Sequence, residues 1–185
     1  MFKNVMIGLM MLGTAAAALA QAKPTATRTG ELQVGGGFSN ANPGTDTVPN
    51  RINGGTAYFD FDFYHRLGIE GSFRFMKDGT TNIYEKTYEV GPRYSRVYKD
   101  KYVPYVKGLY GRGVFNFAQN GQTTANIAYN MWAVGGGLDY RLLPYLNLRG
   151  DFEYQHWLSF PLNGLTPTVF TIGAAYHFGG GRLAR

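Results

Sequence analysis

Apolar and polar residues alternate along most of this chain with a period of two, most sharply at positions 57–64, where Phe59, Phe61 and Phe63 are interleaved with Asp60 and Asp62. That period puts the rings on one face of a strand and the carboxylates on the other. Read the same way, 69–76 is a strand with Phe73 and Phe75 opposed by Glu70 and Arg74, and 83–97 sets Tyr84, Tyr88, Val90 and Tyr94 against Glu85, Glu89 and Arg93. Stretch 126–141 carries Trp132, Val134 and Leu138 opposite Asp139 and Arg141, and 145–157 carries Leu148 and Phe152 opposite Arg149, Asp151 and Glu153. The closing strand, 170–178, presents Phe170, Ile172 and Phe178 on one face and Thr171, Gly173 and His177 on the other. Strands at 31–40 and 102–117 complete the set. In the latter Lys107 and Arg112 have opposite parity, so both cannot share the polar face without a bulge, and its register stays open.

The connections alternate in kind. Polar stretches at 40–53, 77–82, 118–124 and 158–167 are the long or loop-like ones, while 65–68, 98–101 and 142–144 are tight turns. Eight strands, an even number, with such alternation predict an all-β fold: an eight-stranded antiparallel up-and-down transmembrane β-barrel with short turns in the periplasm and loops outside. Closure is required, because an open strand edge in lipid leaves amide and carbonyl groups without partners. A soluble barrel would show the same period with its faces reversed. The polar set decides between them. Asp60, Asp62, Glu70, Arg74, Glu85, Glu89, Arg93, Asp139, Arg141, Arg149, Asp151 and Glu153 mix both signs with almost no Lys, as suits a closed interior of paired guanidinium and carboxylate groups. They are read as an ionic network inside the barrel, with Phe59, Phe61, Phe63, Phe73, Phe75, Phe170, Ile172 and Phe178 facing lipid.

Composition adds limits. The chain has 185 residues, enough for one domain, with 26 Gly, 14 Tyr and 13 Phe, and no Cys to form a disulfide, a thiolate metal site or a cysteine nucleophile. Lys3, the apolar run 5–12 and Ala18-Leu19-Ala20 have the form of a cleaved signal peptide, 1–20. Residues 21–30 then read as a flexible periplasmic lead, 31–178 as the barrel and 179–185 as a periplasmic tail. A net charge of +6, scattered along the chain, does not argue for nucleic acid. Expected partners are outer-membrane lipids, lipopolysaccharide and the barrel-assembly machinery during biogenesis, with the protein itself a monomer.

Candidate chemistry is sparse. The Gly runs at 35–37 and 135–137 lead into no helix and lack a P-loop Lys-Ser/Thr, so they read as places where strands bend. Asp60 with Asp62 has the donors for a cation or an acid/base pair, but these carboxylates are read first as partners of interior arginines. His156, Ser159 and Glu153 are of the residue types used by a lipid A deacylase, yet alternation sends His156 toward lipid and Glu153 inward, so no relay follows. No cofactor or metal site is predicted.

Gly68-Ile69-Glu70-Gly71, Val90-Gly91-Pro92-Arg93-Tyr94, Pro104-Tyr105-Val106-Lys107, Glu153-Tyr154-Gln155-His156-Trp157 and the closing Ile172-Gly173-Ala174-Ala175-Tyr176-His177-Phe178 resemble the small eight-stranded outer-membrane proteins of the OmpA/OmpX type. The resemblance implies a non-enzymatic barrel that serves membrane integrity and surface interactions through its loops, and with seven residues left after Phe178 no peptidoglycan-binding domain is expected to follow. A narrow pore is the alternative, and a lipid-modifying enzyme the third reading. In that type an inward Glu on the third strand belongs to a salt-bridge gate. Glu70 takes its place, while Glu89 stands where the gate's basic partner on the fourth strand would be. The tail after Phe178 is a second departure, since such proteins commonly end on the aromatic.

Overall fold

The alternation closes into a single sheet. The computed structural model describes residues 30–44, 51–64, 66–79, 83–119, 122–159 and 165–178. Its strands are β1 (Glu31–Asn42), β2 (Ile52–Tyr64), β3 (Leu67–Lys77), β4 (Tyr84–Ser95), β5 (Tyr102–Gln119), β6 (Gln122–Leu143), β7 (Leu146–Trp157) and β8 (Thr168–Phe178). Each pairs antiparallel with its neighbours in sequence, and β8 pairs with β1, so the barrel has no open edge. The segments assigned to the signal peptide and to the tail, and all of the lead but Gly30, lie outside the described residues.

The register sets the barrel's geometry. Starting at Glu31 and stepping from partner to partner through Asp62, Gly68, Arg93, Lys107, Gly135, Glu153 and Val169 returns to β1 at Ala41, ten residues higher. Such a stagger over eight strands goes with strands tilted by roughly 35–45° to the axis and an interior just wide enough for side chains to fill. The two faces separate as the pleat requires. On β2, Phe59 and Phe61 are 46 % and 43 % exposed, while Asp60 between them is 1 % exposed.

Strand limits depart from the sequence reading in two places, and one register it left open is decided. Within the stretch read as a loop at 118–124, residues 118–119 and 122–124 are strand, because β5 runs to Gln119 and β6 begins at Gln122, with a register shift between Phe117 and Ala118. Beyond Asn116 on β5 and before Met131 on β6 the two strands pair only with each other. A two-stranded ribbon outside the barrel wall needs no oily face, so its polar sequence hid it from a periodicity test. β2 begins at Ile52, inside the stretch read as a loop. Gly54 lets it, since a Cβ there would come within 1.9 Å of the Phe75 carbonyl oxygen. Finally, β5 pairs with β4 in one unbroken register from Asn116 to Tyr105, which turns Lys107 inward and leaves Arg112 exposed without a bulge.

Aromatic rings gather on the outer wall in two belts. Tyr102 with Tyr140 and Tyr176 with Tyr145 and Phe178 mark the end with the tight turns, and Phe75 with Tyr84 and Trp132 with Tyr154 and His156 mark the other. Trp132 and Tyr140 both lie on β6. At about 3.3 Å rise per residue on a strand tilted by roughly 40°, the belts stand about 20 Å apart, close to the apolar band of such barrels.

Candidate functional site

The lumen is where polar chemistry converges, and three layers fill it between the turn end and the loop end. At the turn end lies a small polar mouth lined by Glu31, Asp62, Arg141 and His177. Arg141 and His177 reach Glu31 at 3.9 and 3.2 Å, and the Arg141 side chain is 31 % exposed, so this layer is wet. Asp62 is half-buried, 3.6 Å from Arg93.

Above the mouth is a belt of buried ion pairs. Arg149 donates through Nε to Asp139 at 2.7 Å, through Nη2 to Asp60 at 2.5 Å and through Nη1 to Glu70 at 3.3 Å. Arg93 donates to Asp139 at 2.6 Å, and both guanidinium groups lie over the Tyr105 ring, at 4.3 Å for Arg93 and 4.8 Å for Arg149. The Tyr105 hydroxyl donates to Asp151 at 2.5 Å. Lys107 joins three carboxylates, Glu70 at 2.7 Å, Asp151 at 3.0 Å and Glu153 at 3.1 Å. Arg74 continues the chain to Glu153 at 2.9 Å and Glu89 at 3.2 Å. Gln33 donates to Asp60 and Asp139 and brings β1 into the belt. The pattern is that of charges taken out of water with several partners each, the only condition under which such burial is tolerable.

The third layer carries no such pairing. Ile52, Met76, Phe115, Met131, Trp157 and Leu165 are all buried and form an apolar plug at the loop end. Trp157 lies edge-on to Phe115 and donates its indole N–H to Gln155 at 3.1 Å. A slot at Gly113 admits the indole, since a Cβ there would stand 2.3 Å from its ring. Glu85 sits against this plug, beside Met76 on β3 and Phe115 on β5, and neither of its carboxylate oxygens has a hydrogen-bond partner.

A family model described as an outer membrane protein beta-barrel domain matches residues 7–178. This chain belongs to that family. Barrels of the family share its eight-stranded closure, and three solved structures illustrate the likeness. Ail, the attachment invasion locus protein of Yersinia pestis, is 20 % identical with a TM-score of 0.61, over 82 % of this chain and all of its own. OprG of Pseudomonas aeruginosa is 15 % identical with a TM-score of 0.63, over 82 % of this chain and 97 % of its own. Neisserial surface protein A is 11 % identical with a TM-score of 0.60, over 82 % and 98 %. At these identities the likeness is one of fold. No curated protein matches the sequence.

Within the family barrel, ten of the twelve polar residues singled out from the sequence are buried in the lumen, while Asp62 and Arg141 are half-exposed at the mouth. Of the wall residues, Phe59, Phe61, Phe63, Phe73, Phe75, Phe170 and Ile172 are exposed and Phe178 is half-buried at the turn end. Glu70 is bound from three strands, by Arg93, Lys107 and Arg149. The fourth strand therefore does supply it a cation, Arg93, four positions beyond Glu89, which pairs instead with Arg74. Asp60 is taken up by Arg149, and no cluster of three or more His, Asp or Glu suited to a metal exists among the described residues. Glu153 is buried while His156 stacks on Trp132 outside, so β7 itself separates them. The apolar plug was missed by sequence reasoning, although Met76, Met131 and Trp157 carry the inward parity. Tyr58 and Tyr105, whose faces hold the guanidinium groups, were overlooked for the same reason: in the sequence an inward ring looks like any other ring.

Proposed function

We propose that this protein is exported by a cleaved signal peptide at 1–20 and stands in the outer membrane as a sealed, non-enzymatic barrel. In this reading it is a monomer that adds to the integrity of the membrane, surrounded by outer-membrane lipids and lipopolysaccharide after insertion by the barrel-assembly machinery. The exposed phenylalanines face lipid, the tight turns and both chain ends lie in the periplasm, and the loops and the β5–β6 ribbon reach the surface, where they meet partners. The surface role has a parallel in Ail, which has been solved with the heparin analogue sucrose octasulfate.

The observation that carries the sealed reading is the belt. Arg74, Arg93, Lys107 and Arg149 have side chains only 1 %, 1 %, 3 % and 2 % exposed, and the space at the turn-end mouth and beside Arg149 and Lys107 measures about 20 and 10 Å³, room for roughly a water each. The test is conductance. Purified barrel reconstituted in a planar bilayer should give at most small, infrequent current steps. Large steady conductance from the wild type would move the assignment to a narrow pore.

A further inference from the structure

We infer that the outer wall carries a lipid site on β2–β5: an arc of cations above an apolar groove that takes a phosphorylated, multiply acylated glycolipid of the lipid A class. The inference rests on the outer-membrane placement proposed above.

Charge is sorted by face. Every carboxylate borne by a strand, from Glu31 on β1 to Glu153 on β7, has inward parity, whereas Lys77, Lys86 and Arg112 point outward, as does Arg51 just before β2. None of these four cations has an ion pair among the described residues. Each is offset by two positions from the register partner of the last: Asn53 pairs with Lys77, Tyr84 with Lys77, and Val114 with Lys86. One register step climbs the barrel by a little over one residue, and the two-residue offset slightly more than takes that climb back, so the four form a shallow row that descends by roughly 6 Å from Arg51 to Arg112. Diagonal neighbours lie about 7–8 Å apart, so the arc is wide enough for two separated phosphates rather than one. Lys86 Nζ rests over the Tyr84 ring at 5.0 Å, at the level of the loop-end aromatic belt. Long cationic side chains at that depth reach up toward headgroups while their stems stay in the apolar layer.

Directly below is a groove of about 720 Å³ walled by Val34, Phe59, Phe73, Tyr88, Val90 and Tyr110 and floored by Ala57 and Gly71. The floor is low because the outward positions between the rings hold the smallest side chains. Tyr88, on the rim, is the register partner of Arg112, which joins groove and arc into one surface. An acyl chain fits the groove while its phosphates meet the cations.

Native mass spectrometry of the detergent-folded barrel with diphosphoryl hexa-acyl lipid A tests this, with phosphatidylglycerol as the competing anionic lipid. One tightly held lipid A per barrel is expected, weakened roughly fivefold for each cation removed and about a hundredfold in Lys77→Ala/Lys86→Ala/Arg112→Ala. The charge-keeping set Lys77→Arg/Lys86→Arg/Arg112→Lys should bind as the wild type does, and Ala57→Phe, which fills the groove but keeps the arc, should bind more weakly. All these positions are on the outer wall, so the heat-modifiable gel shift of each variant reports folding separately. Equal binding by the triple alanine variant overturns the site, and phosphatidylglycerol holding as tightly as lipid A overturns its ligand. Failure of the membrane reading is distinct, since it would appear as a wild-type barrel monodisperse without detergent.

Discussion

Arg149 meets carboxylates on β2, β3 and β6 while its guanidinium lies 4.0 Å from the Tyr58 ring centroid. Arg149→Ala takes the closest cation from Asp60, leaves Asp139 to Arg93 and Gln33, and removes one of three cations from Glu70, and breaking such a buried set costs about 3–5 kcal/mol. Arg141→Ala, at the wet mouth, should cost about 0–1 kcal/mol, the ordinary worth of an exposed pair. Thermal unfolding in detergent, followed by the heat-modifiable gel shift, compares the two, and equal losses would show that the belt is no tighter than the mouth. Glu85 is the opposite case. Its oxygens have no hydrogen-bond partner and its register partners Met76 and Phe115 are apolar, with the Arg74 charge offsetting its burial only in part, so Glu85→Leu should extend the plug and stabilise the barrel by about 1–3 kcal/mol. Glu153→Leu, which deprives Arg74 and Lys107 of a shared carboxylate, should destabilise it in the same assay.

At the scale of the strand, depth in the membrane decides what an outward residue tolerates. Ile172 lies mid-strand on β8 and is 62 % exposed, whereas Phe178 is the last residue of that strand. An arginine at the bilayer midplane costs about 2–4 kcal/mol and one near an interface about 0–1 kcal/mol. Denaturant titration in lipid vesicles should therefore show a large loss for Ile172→Arg and a small one for Phe178→Arg. Similar losses for both would mean that β8 does not cross a bilayer. β5 offers a second test at this scale, because Gly113 is small where Trp157 needs room. Gly113→Val should push the indole out of the plug, seen as a red shift of Trp157 emission in a Trp132→Phe background, and unchanged emission would place the indole elsewhere.

The whole barrel has ends that differ in chemistry as well as in loop length, with a wet polar mouth at the turns and an apolar plug at the loops. The proposed orientation, with the turns in the periplasm and the loops outside, is testable in intact cells. Cysteine in place of Asn42, at the loop end of β1, should react with an impermeant thiol reagent, while cysteine in place of Lys99, in the turn between β4 and β5, should not. The reverse pattern would invert the molecule, and with it the lipid site on the wall.

Alternation within single strands was enough to read the eight strands and which residues share a face, because that is a local property of the pleat, while closure came from the cost of an open edge in lipid and the inner face from the mixed-sign polar set. Parity likewise put Asp60, Glu70, Arg74, Arg93 and Glu153 on one side of the sheet. What parity cannot supply is height. The ten-residue stagger of the register decides which inward residues share a level, and so brings Arg149 to Asp60 from across the barrel and gathers Met76, Met131 and Trp157 into a plug. The same stagger brings Lys77, Lys86 and Arg112 into a shallow arc from three strands. Lys107 and Arg112 were undecided in the sequence because either could face inward. Only the unbroken pairing of β5 with β4 chose between them, since a ladder without a bulge admits one parity alone.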